Sequence, residues 1–131
     1  MASAAASDRR IRLAWVALLL ALLVQLSVLY APSTPDGTPQ VPGLDKLVHA
    51  AVFLLPALFG TLADIRPLRL AVVLVAHAVA SELVQHLLLP ERSGDMRDAV
   101  ADIAGVALGL AVGTALVQRS RRRAVGGRPA E

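Results

Sequence analysis

Three stretches of this chain hold side chains that can do chemistry, and each lies at the edge of an apolar run. The first has Asp45, Lys46 and His49, the second Glu82, Gln85 and His86, and the third Arg92, Asp95, Asp98 and Asp102. Ionisable groups in or beside long hydrophobic segments are expensive, so such a set calls for a site, a pathway or a tight internal pairing. Glu82, Asp98, Asp102 and His49 together contain the groups for an acid and a base. One imidazole with two or three carboxylates also suits a divalent cation held mainly by oxygen. Lys46 and Arg92 offer charges that bind phosphate, as lipid-linked envelope precursors carry it. The remaining reading is a salt-bridged network that does no more than lock three helices together. Residue types and spacing leave these four open, and they single out no cofactor, metal or catalytic residue. Two further polar residues carry less. Ser81 has no base at a spacing that would activate it as a nucleophile, and His77, in mid-run, is expected to bond to a neighbouring helix.

The elements that must position these residues are apolar helices. The chain has 131 residues, room for one domain, and 56% of them are hydrophobic, above the roughly 45–50% of soluble domains. Mean hydropathy is +0.62, which points to a membrane. Only 3% of residues are aromatic, so the apolar mass is Leu, Ala and Val, suited to helices and not to a barrel with aromatic girdles. Cysteine is absent, which removes disulfides and thiolate ligands or nucleophiles. The pI is about 10.6, yet the basic residues gather at segment ends instead of covering a face, so no nucleic-acid partner is expected.

Residues 1–10 form a short N-terminal segment. Arg9, Arg10 and Arg12 then lead into an apolar run from Leu13 to Tyr30, broken only by Gln25 and Ser27. At 1.5 Å per residue that run crosses a core of about 30 Å. It is longer than the apolar part of a signal peptide, and no small-x-small pair precedes Ala31 cleanly, so a retained helix is expected. Four prolines between Ala31 and Gly43 read as a loop. A second span starts near Asp45 and runs to Ala63, with Pro56 expected to kink it. A turn with Arg66, Pro67 and Arg69 leads to a third span, Leu68 to Leu89, ended by Pro90. After a polar elbow, Asp98 to Val117 forms the fourth. There Gly105, Gly109 and Gly113 recur every fourth residue on one face, a ladder that lets another helix approach closely. The expectation is an all-α, polytopic integral membrane protein, with four transmembrane helices in a small bundle over residues 11–118 and a basic, disordered tail over 119–131.

Ten of the 13 basic residues lie in the N-terminal flank, the second-to-third turn and the tail. The excess of Lys and Arg in cytoplasmic segments places both termini in the cytoplasm, with anionic membrane lipid a sufficient partner for the tail. Helix 2 then begins, helix 3 ends and helix 4 begins at one outer face, where the three polar stretches converge. Glu82 and Asp102 both fall roughly 10 Å below that boundary. Asp45 with His49, and Asp98 with Asp102, share helix faces at i, i+4, and Glu82 with Gln85 at i, i+3.

At these residues the sequence resembles the VanZ-like membrane protein family. The resemblance consists of Asp45-Lys46-x-x-His49, then Glu82-x-x-Gln85, then Arg92, Asp98, Asp102 and Gly105, with Gly109 after it, and it covers about residues 45–113. The family more often has Asn where this chain has Asp102. The resemblance implies a small helical membrane protein of the cell envelope; a place in the plasma membrane, and a polar cluster that engages a lipid-linked or cell-surface ligand, are expected from the convergence of the polar stretches at the outer face. The family's name-giving member is associated with resistance to the glycopeptide teicoplanin.

Overall fold

Four apolar runs become four helices. The structure, a computed structural model, describes residues 2–30, 43–88 and 96–126, and side-chain surroundings for 7–30, 43–88 and 96–123. The helices are α1 (Ala2–Tyr30), α2 (Leu44–Leu62), α3 (Pro67–Leu88) and α4 (Met96–Gly126). Each is long and apolar enough to cross a membrane. Even the shortest, α2, has 19 residues, about 28 Å at 1.5 Å per residue. Outward faces are apolar as well as the core: Leu19 and Leu23 of α1 and Val72 and Val79 of α3 are exposed. A bundle that is greasy on its outside as well as its inside has lipid as its solvent, and helices satisfy their own backbone there. The protein is an all-α, four-helix membrane bundle that crosses the membrane more than once.

The helix directions follow from which residues meet. Lys46 and His49 of α2 pair with Asp98 and Asp102 of α4, and Gly105, Gly109 and Gly113 lie on Ala50, Leu54 and Thr61. Both series ascend together, so α2 and α4 run parallel. α1 and α3 run the other way: Gln85 near the end of α3 reaches Leu29 near the end of α1, and Glu82 meets His49 near the start of α2. α2 is the central helix, packed on all three others, with α4 its most extensive neighbour. Leu29, Phe53, Ala57, Leu74, Ala78 and Val106 form the core between them.

The glycine ladder faces α2 of the same chain. A Cβ added to Gly105 or Gly109 would strike the carbonyl oxygen of Ala50 or Leu54, and one on Gly113 would lie 2.7 Å from Thr61 Cβ. Side chains are therefore excluded along this seam, and the two backbones touch. α2 runs unbroken through the buried Pro56, whose missing N–H leaves the Val52 carbonyl without its usual intrahelical donor.

The α2–α3 turn is a Schellman motif. Ile65 N donates to Gly60 O at 3.0 Å and Asp64 N to Thr61 O at 3.2 Å, with Ile65 packed against the core. Its left-handed position is held by Asp64 at φ 66, where glycine is the usual residue. Asp64→Gly removes that strain, and its Tm should rise by a few degrees, corresponding to about 0.5–1 kcal/mol. The exposed Asp64–Arg121 pair at 3.9 Å contributes too little to reverse the sign.

One boundary differs from expectation. α4 continues to Gly126, so the basic segment from Arg119, expected as a disordered tail, starts as helix. Charge alone does not end a helix: Gln, Arg and Ala all favour it, and no glycine or proline appears between Thr114 and Val125. Residues 127–131, and the expected loop and elbow at 31–42 and 89–95, lie outside the described residues.

Candidate functional site

Two turns of α2 and two of α4 build the site because the helices are parallel and in backbone contact. The glycine seam below holds α4 against α2 at a fixed height, so polar residues one and two turns above it meet across the interface. They do so in two layers. At the rim, Lys46 Nζ donates to Asp45 Oδ2 at 2.8 Å and to Asp98 Oδ1 at 3.2 Å. One turn deeper, His49 Nδ1 donates to Asp102 Oδ1 at 3.0 Å. From the third side α3 brings Glu82, whose Oε1 lies 3.7 Å from the same His49 nitrogen. His49, Glu82 and Asp102 are all buried, and each offers a ligand atom within 4.8 Å of the others.

The layers differ in what they can do. The Asp45 side chain is 57% exposed and turned to Lys46, away from His49 although the two share a helix face by spacing. An exposed pair of this kind adds little stability. The inner layer is drier: Asp102 is fully buried, and its Oδ2 has no hydrogen-bond partner among the described residues. Among the described residues, four carboxylates (Asp45, Glu82, Asp98 and Asp102) gather around Lys46 and His49.

Comparison with protein-family models, with curated proteins and with solved structures finds no match.

Several sequence candidates lie elsewhere. Gln85 is buried, but its Nε2 donates to Leu29 O at 2.8 Å, which ties α3 to α1. His86 is exposed. Arg92 and Asp95 lie outside the described residues. Ser81 Oγ donates to Ala78 O at 2.9 Å within its own helix, a bond that leaves the hydroxyl's hydrogen committed. His77 Nε2 lies 3.2 Å from Tyr30 Oη, and its ring packs on Phe53 at 5.6 Å between centroids, so it joins α1, α2 and α3 as a packing residue.

Two contributors went unnoticed in the sequence. Tyr30 reads as the end of a span, yet its hydroxyl reaches His77. Gln25 reads as an interruption, yet it is fully buried and neither amide atom has a partner among the described residues. The signal for Gln25 was its spacing. It falls on the stripe Ala14, Leu18, Ala21, Gln25, Leu29, which is the buried face of α1, and a polar residue in a membrane helix turns inward.

Proposed function

We propose that this is a VanZ-like integral membrane protein of the cell envelope, which engages a lipid-linked or cell-surface ligand through the His49–Glu82–Asp102 cluster at the outer leaflet of the plasma membrane. The observation that carries the reading is the convergence of three helices on one buried, acidic group of side chains. The test is mass spectrometry of lipids and envelope precursors that co-purify with the protein. A specific species should accompany the wild type and be lost from Glu82→Gln; identical lipid content in both would end the proposal.

A second reading is a membrane enzyme that uses the same cluster for acid/base or metal-assisted chemistry on a lipid phosphate. It is favoured by the His49–Asp102 hydrogen bond at 3.0 Å beside Glu82, an imidazole oriented by one carboxylate and near another. Turnover of a lipid-phosphate substrate by purified protein decides for it. A third reading is a structural subunit of a membrane assembly, whose partner would meet a face other than the glycine ladder, since that ladder lies against α2.

Both termini are proposed to be cytoplasmic, on the strength of the basic residues in the N-terminal flank, the α2–α3 turn and the end of α4. Since the chain has no cysteine, single cysteines report the topology. A membrane-impermeant thiol reagent on intact cells should label Met96→Cys, at the exposed start of α4, and spare Val125→Cys. The reverse pattern would move the cluster to the cytoplasmic face.

A further inference from the structure

We propose that His49, Glu82 and Asp102 form a binding site for one divalent transition-metal ion, such as Zn2+ or Mn2+, held by an imidazole nitrogen and two carboxylate oxygens from three different helices. The proposal rests on the reading above that this cluster is the working site, and it names what the cluster holds first.

Four observations support it. The first is size. Ligand atoms at about 2.0–2.2 Å from a common centre lie about 2.8–3.6 Å apart at right-angled to tetrahedral arrangements. His49 Nδ1 is 3.0 Å from Asp102 Oδ1 and 3.7 Å from Glu82 Oε1, with all three ligand atoms within 4.8 Å of one another, so small rotamer adjustments bring them onto one ion. The second is the buried Asp102 Oδ2, which has no hydrogen-bond partner among the described residues. An orphaned carboxylate oxygen in a dry interior is costly, and a cation that Asp102 holds through Oδ2, alone or together with Oδ1, satisfies it.

The third observation is charge. The inner layer sets two carboxylates, Glu82 and Asp102, around one imidazole, while Lys46 lies at the rim against Asp45 and Asp98. A divalent ion placed there meets anionic oxygens from two helices and a neutral imidazole nitrogen from a third. The fourth is support. The parallel α2–α4 pair is held in backbone contact by Gly105 and Gly109, so His49 and Asp102 are presented by a rigid seam and Glu82 closes from α3.

The donor set chooses the class of ion. An imidazole with two carboxylates suits first-row divalent metals better than Ca2+ or Mg2+, which prefer all-oxygen surroundings. Binding replaces the Nδ1 hydrogen now donated to Asp102, and that proton is released to solvent. Three protein ligands leave coordination positions free for an outside group. An anionic headgroup that the carboxylates alone would repel then gains a reason to enter.

The experiment uses the full chain, purified through a tag without histidine, stripped with chelator, and dialysed in detergent against Zn2+ or Mn2+. Bound metal is measured by mass spectrometry and by Mn2+ paramagnetic resonance. One ion per chain is expected, with affinity reduced at least about tenfold in Glu82→Gln and in Asp102→Asn, and unchanged in His86→Ala, which alters an exposed histidine on α3. Circular dichroism melts establish that each variant is folded; if Asp102→Asn is not, Glu82→Gln decides. A folded wild type that binds no stoichiometric ion, or an ion retained equally by the variants, overturns the proposal. The co-purification test is read separately. A lipid lost with Glu82→Gln from a protein that binds no metal leaves the ligand reading standing and removes the ion. Metal bound with no specific lipid does the opposite.

Discussion

Gly109→Leu should abolish most of the folded yield in detergent and lower the Tm of whatever remains. The Cβ alone would meet the Leu54 carbonyl oxygen and lie 2.8 Å from Ala57 Cβ, and a backbone carbonyl cannot rotate aside as a side chain can. α4 must then move away from α2, which forfeits the seam contacts and also separates Asp102 from His49, two turns above. Overpacking a filled interior costs roughly 1–3 kcal/mol where side chains can yield, and the rigid seam puts this variant at about 3 kcal/mol or more. Gly60→Ala is the control. Its new Cβ meets the methyl ends of Leu70 at 2.6 and 2.9 Å, which can shift, so its loss should be clearly smaller. Size-exclusion profiles and thermal melts measure both. Wild-type behaviour in Gly109→Leu would mean that α4 does not pack on α2 through this face.

The second large effect is expected from His49→Leu, measured in chelator so that metal plays no part. The substitution leaves Asp102 and Glu82 buried side by side without the imidazole, which donates to one and lies 3.7 Å from the other. Removing one partner of a buried ionic group typically costs about 3–5 kcal/mol, whereas replacing the pair with apolar residues is far cheaper. The double variant His49→Leu with Asp102→Leu should therefore recover a large part of the loss, a coupling that a melt of all three proteins reads directly. Conservative changes separate site from scaffold. Glu82→Gln and Asp98→Asn keep shape and much hydrogen-bonding capacity, so they should melt near the wild type while ligand binding is lost. If stability and binding fall in parallel, the cluster is a scaffold; if both persist, it is neither.

Much of this protein was legible in its chain because it depends on local properties. Four runs of Leu, Ala and Val, each long enough to span lipid and separated by prolines or charges, determine four helices. Their polar residues mark which ends carry chemistry. The every-fourth-residue spacing of Gly105, Gly109 and Gly113 determines a face that excludes side chains. Helical period assigns a residue to a face, but it does not say which helix lies opposite. Only the tertiary structure decided that the glycine face meets α2 of the same chain, and that α2 and α4 therefore run parallel in backbone contact. That contact pairs His49 with Asp102 and Lys46 with Asp98. The same packing turned Asp45 to the rim and sent Gln85 to the Leu29 carbonyl, although their spacings grouped them with His49 and Glu82. It also buried Gln25 in α1. The physical reason is one of range. Hydropathy and helix propensity act along a few turns of one chain segment, while the neighbours of a side chain are set by how closely two backbones can approach, and here that closeness is set by glycines more than fifty residues away in the chain from the residues they touch.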